Sequence, residues 1–239
     1  IKYLINRVSE SPFKFLVKKL KLELNKKFIY LPSSPWLKKK LRKTELMLRR
    51  ASPTSIKPSL SEPELSYLLS RVSEYRKSGY PCLGYGRVDL FADDTFNVDC
   101  VHSYRWDSTA HSFKMDFIQA SVKCDVKIPW EKSRLQWLVE MALLYSHGKW
   151  QLADIYYHLR AWHEQNPFLR GVNWISSMEV AIRLVNLAFV YLFIKDSGDD
   201  ELKSLLISLI ASHDVYLELF PEISDVPGNH YLATEVGCV

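Results

Sequence analysis

Asn166-Pro167-Phe168-Leu169-Arg170-Gly171-Val172-Asn173-Trp174 separates two long helical patterns in the second half of the chain. Asn166-Pro167 ends the first pattern, because a residue before proline avoids the helical conformation. Gly171 can then turn the chain before the next helix, since glycine tolerates backbone conformations that other residues avoid. Asn173 and Trp174 therefore fall at a junction between a loop and a helix, where polar groups can face a cleft.

The spacing of apolar residues is helical from Trp130 onward. The pattern predicts helices over 130–147, 150–165, 174–196 and 200–219, and a further helix that begins near 229. The breaks coincide with residues that end helices, namely Gly148, Asn166-Pro167, Gly198 and Pro227-Gly228. Short connections between helices of this length favour antiparallel helical hairpins that pack side by side.

The first 60 residues differ from this helical body, which we expect to span residues 61–239. Residues 11–28 read as a basic amphipathic helix, and either packing on the protein or lying on a membrane surface would fit it. Prolines mark 31–60 as a connector that contains a second basic helix over 37–50. A further helix is expected to begin at Ser61 and to end at Gly79.

A small β-hairpin is expected near residues 85–100. Arg87–Phe91 and Thr95–Val98 have the composition of short strands, and the acidic segment 92–94 lies between them as a turn. Such a hairpin is too small to form a domain of its own.

Charge is unevenly distributed along the 239 residues. The first 50 residues contain 15 of the 32 Lys and Arg but only 3 of the 27 Asp and Glu. This asymmetry fits an anionic partner such as nucleic acid, a membrane surface or an acidic polysaccharide, and it equally fits a solvated basic face. Nucleic acid is disfavoured because no recognised motif accompanies the charge. No apolar run reaches 18 residues, so no membrane span is predicted.

The four cysteines do not indicate a metal site. Cys82, Cys100, Cys124 and Cys238 form no CxxC pair and have no histidine at zinc-finger spacing. Cys82 and Cys100 flank the expected hairpin and could pair, but we expect free thiols. No cofactor and no metal are predicted.

Two further segments carry polar and aromatic residues that a plain helix would not need. In the segment 125–134, Trp130 and Arg134 are four residues apart and could stack on a sugar and pair with an anion. Equally, Glu131 and Arg134 could simply buttress the start of a helix. On the apolar helix that follows Trp174, Glu179 and Arg183 are also four apart, and we expect them to pair with each other inside the core.

The third segment is Gly228-Asn229-His230, at the start of the last predicted helix. Free amide groups and the positive end of the helix dipole favour an anion there. Alone the pair is weak evidence, since asparagine often only caps a helix.

Taken in order, these segments resemble the helical domain of heparinase II/III-like polysaccharide lyases, which include alginate-lyase-like relatives. The matching pattern is DxKxPWExSRLQ from Asp125, then NPxxxGVNWxSxxEVAxR from Asn166, then Gly-Asn-His, and it covers about residues 60–239. The resemblance implies a mainly α chain that forms an incomplete α/α toroid, with β-sandwich sheets outside this chain. It also implies an acidic, uronate-containing polysaccharide as substrate and a periplasmic or secreted location.

The resemblance implies β-elimination at a uronate and assigns roles to seven residues. Asn229 would bind the carboxylate, and His230 would assist in neutralising it or take part in proton transfer. The residues expected to bind substrate are Trp130, Arg134, Asn173, Trp174 and Arg183. The catalytic tyrosine and a further histidine of the family would follow Val239, so we expect this chain alone to be inactive and assign Tyr231 no such role. Where relatives often carry Trp-His, this chain has the segment 102–106, His-Ser-Tyr-Arg-Trp.

Two other classes of function remain open. A toroid that binds glycans without cleaving them, or that takes part in exopolysaccharide assembly, would fit the same aromatic-rich helical body. A glycoside hydrolase would need two carboxylates facing a cleft, and Glu131 with Glu179 is a poor candidate pair.

Overall fold

The computed structural model describes residues 12–28, 34–51, 53–92, 95–118, 121–223 and 228–237. They are mainly helical, as the sequence predicts. The helices are α1 (Pro12–Phe28), α2 (Pro35–Ala51), α3 (Glu62–Ser78), α4 (Lys127–Ser133), α5 (Gln136–Ser146), α6 (Leu152–Gln165), α7 (Ser177–Ile194), α8 (Asp200–Leu219) and α9 (Asn229–Gly237). The strands are β1 (Tyr80–Pro81), β2 (Arg87–Val88), β3 (Val98–Asp99) and β4 (Tyr104–Arg105).

Two small antiparallel hairpins take the place of the single expected one. Tyr80 pairs with Val88 between β1 and β2, and Val98 pairs with Arg105 between β3 and β4. The expected pairing of 87–91 with 95–98 is therefore wrong. Residues 95–97 instead form a buried 3-10 turn, in which Asn97 Nδ2 donates to the carbonyl of Gln165 at 3.0 Å. This contact with α6 holds the segment against the core, away from β2.

The expected helix over 130–147 is interrupted, and the structure has α4 and α5 in its place. Leu135, between them, has a left-handed backbone with φ 61° and a fully buried side chain. The Asn186 side-chain amide donates to the carbonyl of Arg134 at 2.7 Å. This hydrogen bond gives a partner to a carbonyl that would otherwise lack one, because the helix is interrupted there. The break therefore lets Leu135 enter the core without leaving a polar carbonyl unpaired.

Helix α7 lies at the centre of the helical packing, in contact with α5, α8 and α9. Helix α6 contacts both α5 and α8, while α3 contacts α5. The expectation of a mainly helical protein whose helices pack against one another is therefore confirmed. Closure of the helices into an α/α toroid stays a proposal.

The two basic helices near the N-terminus are present and join the same body. Leu37 of α2 is fully buried in the core, and Lys40 forms an ion pair with Glu218 of α8 at 2.6 Å. Asn25 of α1 donates to the carbonyl of Leu219 at 2.8 Å. Both helices are therefore fixed near the C-terminal end of α8. Ser11, the expected cap of the first helix, lies outside the described residues.

Among the described residues, α7 is the helix whose length and composition would suffice to cross a membrane. Half of it is buried inside the protein, and its Glu179 and Arg183 are buried as well. A core helix satisfies the same test, so this is weak evidence for a span.

Gly171 makes a close approach that only glycine allows. Its φ is +70°, and a Cβ placed there would lie 2.4 Å from Asn97 Oδ1. We expect Gly171→Ala to lower the free energy of unfolding by about 3 kcal/mol, through backbone strain and the loss of the Asn97 contacts. Urea denaturation monitored by circular dichroism measures this change.

Gly148→Ala is the matched control, because φ is +69° there and no atom lies within 4 Å of the added Cβ. It should cost only the backbone strain, about 1 kcal/mol. If the free energy of unfolding fell equally in the two variants, the close contact between Gly171 and Asn97 would make no contribution to stability.

Candidate functional site

Two of the three segments singled out in the sequence meet around the first turns of α7. Arg134, which directly follows α4, forms a two-pronged pair with Glu179, with Nε and Nη2 each 2.8 Å from a carboxylate oxygen. Its Nη1 also lies 2.5 Å from Glu131 Oε2. The hydrogen bonds to Glu179 raise the pKa of Arg134, and burial raises the pKa of Glu131. The expected buttress of Glu131 and Arg134 is present and extends to α7.

The expected pair between Glu179 and Arg183 is wrong, since Glu179 binds Arg134. Arg183 is fully buried, and its Nε donates to His213 Nε2 at 2.7 Å. Its Nη2 donates to the carbonyl of Asn173 at 2.7 Å. Four-residue spacing on a helix allows a pair, but here Arg134, just after α4, binds Glu179, and His213 of α8 binds Arg183.

The His213 ring has a defined tautomer. Its Nδ1 lies 2.7 Å from the carbonyl of Leu209, which can only accept, so Nδ1 carries the hydrogen and Nε2 accepts from Arg183. Burial lowers the pKa of Arg183 to about 9, against the opposing attraction of Glu179, and leaves the guanidinium charged at pH 7. Burial and the Arg183 charge hold the pKa of His213 well below its ordinary value. A charged arginine therefore rests on a neutral histidine.

Indole rings cover the faces of this buried cation. The Arg183 guanidinium lies 4.7 Å from the ring of Trp162 and 5.5 Å from that of Trp174. Such contacts are most favourable where water is excluded. The carbonyl of Trp174 accepts from Tyr216 on α8 at 2.9 Å. The loop before α7 is therefore held to α7 by a ring contact and to α8 by a hydrogen bond.

Buried amides join this cluster to the β-hairpin region. Asn173 Nδ2 donates to Asn166 Oδ1 and to the carbonyl of Phe96, each at 2.7 Å. Asn97 Nδ2 also donates to Asn166 Oδ1, at 3.2 Å, and Asn97 Oδ1 accepts from the amide of Val172. These amides take the place of regular secondary structure between α6 and α7, because buried polar groups need partners.

The structure therefore brings together the five residues expected to bind substrate. Asn173, Trp174 and Arg183 are buried and reach no solvent, whereas Trp130 and Arg134 are partly exposed. Trp130 Nε1 donates to the carbonyl of Val172 at 2.8 Å, so the indole is held at the edge of the cluster. Substrate binding by all five stays a prediction, and only Trp130 and Arg134 are placed to meet a ligand.

Asn229 and His230 occupy the first turn of α9, and both are exposed. The other end of α9 touches α7, where a Cβ added at Gly237 would lie 2.7 Å from the Cβ of Ala181. Eight residues separate Asn229 from this contact, or about 12 Å of helix. Among the described contacts, no hydrogen bond joins Asn229 or His230 to the Arg183 cluster. Their catalytic roles stay predictions.

The sequence reasoning missed two buried partners, His213 and Asp99. Asp99 is buried and lies 2.7 Å from His102 Nδ1, while it also accepts from the amide of Asp125. Burial works to raise the pKa of Asp99, but these hydrogen bonds lower it below its ordinary value. The Asp-x-x-His spacing was the available signal. The carboxylate orients the imidazole and closes the turn before β4.

A separate open pocket of about 330 Å³ lies beside α3 and is lined by Tyr67, Ser70, Arg71, Glu74, Tyr75, Pro81 and Arg87. Arg71 Nη2 lies 2.5 Å from Glu140 Oε1, and Arg71 Nε donates to the Tyr75 hydroxyl at 2.8 Å. The ring of Tyr67 is largely exposed, at 68% of its surface. None of the residues predicted for the site lines this pocket.

Within the described part of the chain, no group of three or more His, Cys, Asp and Glu is arranged to hold a metal ion.

Comparisons of the chain with protein-family models, with curated proteins and with solved structures give no match. The arguments below therefore rest on the residues and their contacts.

The buried neutral His213 should make stability depend on pH. Unfolded histidine has a pKa of about 6.5, whereas folded His213 resists protonation, so the unfolded chain binds more protons below that pH. We expect the free energy of unfolding to fall as pH drops below about 6.5, by up to about 1.4 kcal/mol per pH unit from this residue. Denaturant titrations between neutral and mildly acidic pH measure it.

His213→Gln keeps an acceptor for Arg183 but cannot titrate. It should lower stability at neutral pH and flatten the pH dependence. His158, whose pKa burial lowers to about 4, is present in both proteins and cancels in the comparison. Parallel stability curves for the two proteins would contradict the assignment.

Proposed function

We propose that this chain forms part of a lyase that cleaves an acidic, uronate-containing polysaccharide by β-elimination. The observation that supports the proposal is that two of the motif segments bind α7, while the helix that carries the third segment packs on another face of α7. Arg134 and Asn173, which lie in different segments, are bonded to Glu179 and Arg183 respectively. Helix α9, which carries the third segment, packs on α7 at Ala181, about 200° around α7 from Glu179 and from Arg183.

The exposed first turn of α9 suits the difficult step of the reaction. The proton beside a uronate carboxylate leaves only if the negative charge that builds on that group is stabilised by preorganised donors. The Asn229 amide, the His230 imidazole and the free amides at the helix start are donors of this kind. A base then removes the proton, the bond to the glycosidic oxygen breaks as the carbon–carbon double bond forms, and an acid protonates the leaving oxygen.

On this proposal the exposed and buried residues divide the work. Trp130 and Arg134 contact the sugar, because they alone among the five cluster residues reach the surface. Asn173, Trp174 and Arg183 position that surface from within. The family resemblance assigns proton transfer to a tyrosine and a further histidine, and no residue of this chain is given those roles.

The lyase proposal predicts an unsaturated product that absorbs in the ultraviolet when the complete product of the reading frame is supplied with uronate polymers. Asn229→Ala should lower turnover by roughly 100-fold, as the loss of one charge-stabilising donor does. Stability should be unchanged because the Asn229 side chain is exposed. Val236→Ala, at an exposed position of the same helix, is the matched control and should retain activity.

Two results would contradict these assignments separately. Unchanged turnover of Asn229→Ala would remove this residue from the site but leave the lyase reading. Absence of unsaturated product from every uronate polymer tested would reject the lyase reading itself.

The alternative is a toroid protein that binds glycans, or takes part in exopolysaccharide assembly, without cleaving them. The pocket beside α3 favours this alternative, since an exposed Tyr67 ring stands next to Arg71 and Glu74. An aromatic face with flanking polar groups can stack on a sugar ring and bond its hydroxyls.

If the pocket binds glycan, Tyr67→Ala should weaken binding of an acidic oligosaccharide by roughly five- to tenfold in isothermal titration. Tyr157→Ala is the control, because Tyr157 is similarly exposed, at 60%, on a helix outside the pocket. Equal affinities for both variants and the wild type would exclude the pocket as the binding position.

A further inference from the structure

An apolar stripe lies exposed on α1, on the side opposite its attachment to the protein. Leu16, Leu20 and Leu24 are four residues apart along one face, and each is between 52% and 55% exposed. Leu22, which packs against the core, follows Leu20 by two positions, or about 200° around the helix. Asn25 anchors the core side through the carbonyl of Leu219. Packing against the rest of the protein therefore does not explain why leucines occupy these three exposed positions.

Exposed cations accompany the stripe on α1 and are numerous on the next helix along the chain. Helix α1 also exposes Lys19 and Lys21. The next helix, α2, exposes Trp36 and Met47 at 52% and 61% among many cations. The exposed cations of α2 are Lys38, Lys39, Arg42, Lys43, Arg49 and Arg50.

We propose that α1 and α2 bind the surface of an anionic lipid membrane, with the leucine stripe inserted at the boundary of headgroups and acyl chains. A helix with leucines on one face and lysines beside them has the composition of interfacial membrane helices. Anionic headgroups match the charge, and an exposed tryptophan such as Trp36 suits the interface. This proposal is independent of the lyase reaction.

Charge and surface chemistry select lipid over the other occupants. A second copy of this face would bring like charges together, which is unfavourable at short distance. A soluble acidic polymer would match the cations but would leave the leucines in water. Only a surface that is both anionic and apolar uses both features.

The test is flotation with vesicles of phosphatidylcholine alone and of phosphatidylcholine with phosphatidylglycerol. We expect at least about tenfold tighter binding to the anionic vesicles, and weakening by added salt. L16N/L20N/L24N should lose about tenfold or more of that affinity, because the apolar contact is removed while the cations remain. Melting temperature should be unchanged, since all three side chains point away from the core contacts of α1.

V101N/I118N/V122N is the matched control, with three exposed apolar residues changed that belong to neither basic helix. It should bind vesicles like the wild type. Equal binding by the leucine variant would overturn the proposal. So would wild-type binding to soluble alginate but not to vesicles, or a dimer in sedimentation that the leucine variant abolishes.

Discussion

The guanidinium of Arg183 has no exposed atom, and this constraint organises the rest of the cluster. A buried charge is tolerated only when each donor is paired and the surroundings compensate the lost hydration. The structure supplies His213 from α8, the carbonyl of Asn173 and two indole faces. These partners come from α6, from α8 and from the loop before α7, so satisfying one cation fixes the relative placement of these segments and α7.

The helices were predictable because their signals are local. Apolar spacing and helix-ending residues locate α6, α7 and α8 within a few positions, and α8 ends where expected at Leu219. The failures arise where tertiary contacts decide. Leu135 adopts a left-handed backbone in the core, and the carbonyl of Arg134 beside it accepts from Asn186, which lies fifty-two residues after Arg134. Residues 95–97 bond to α6 instead of pairing with β2. No local pattern encodes partners so distant in sequence.

The candidate site also separates what local sequence patterns predict from what tertiary contacts decide. Sequence reasoning selected Trp130, Arg134 and Asn173 as unusual, and the structure brings them together. Their unusual character has a structural cause, because buried amides and paired charges need polar residues at the same positions that a sugar site would use. The Glu179–Arg183 pair failed for this reason: helical spacing identifies an available neighbour, whereas burial and competition from Arg134 and His213 decide the partner.

A buried cluster of paired charges contributes little to stability, since apolar residues of similar volume often replace a buried ion pair without lowering the free energy of unfolding. What hydrogen bonds add is position. Helices held only by apolar contacts can slide or rotate by small amounts. Such motion of α7 would break the two hydrogen bonds from Arg134 to Glu179 and the two from Arg183 to His213 and Asn173. Helix α9 packs on α7 at Ala181, about 200° around α7 from Glu179 and from Arg183, and the contact is made by the end of α9 opposite Asn229 and His230. The contacts of Arg134 and Arg183 therefore fix α7, and α7 in turn holds α9. On the lyase proposal, the donors of Asn229 and His230 need a support that is fixed in this way, because misplacement of a catalytic group by about 1 Å weakens catalysis sharply.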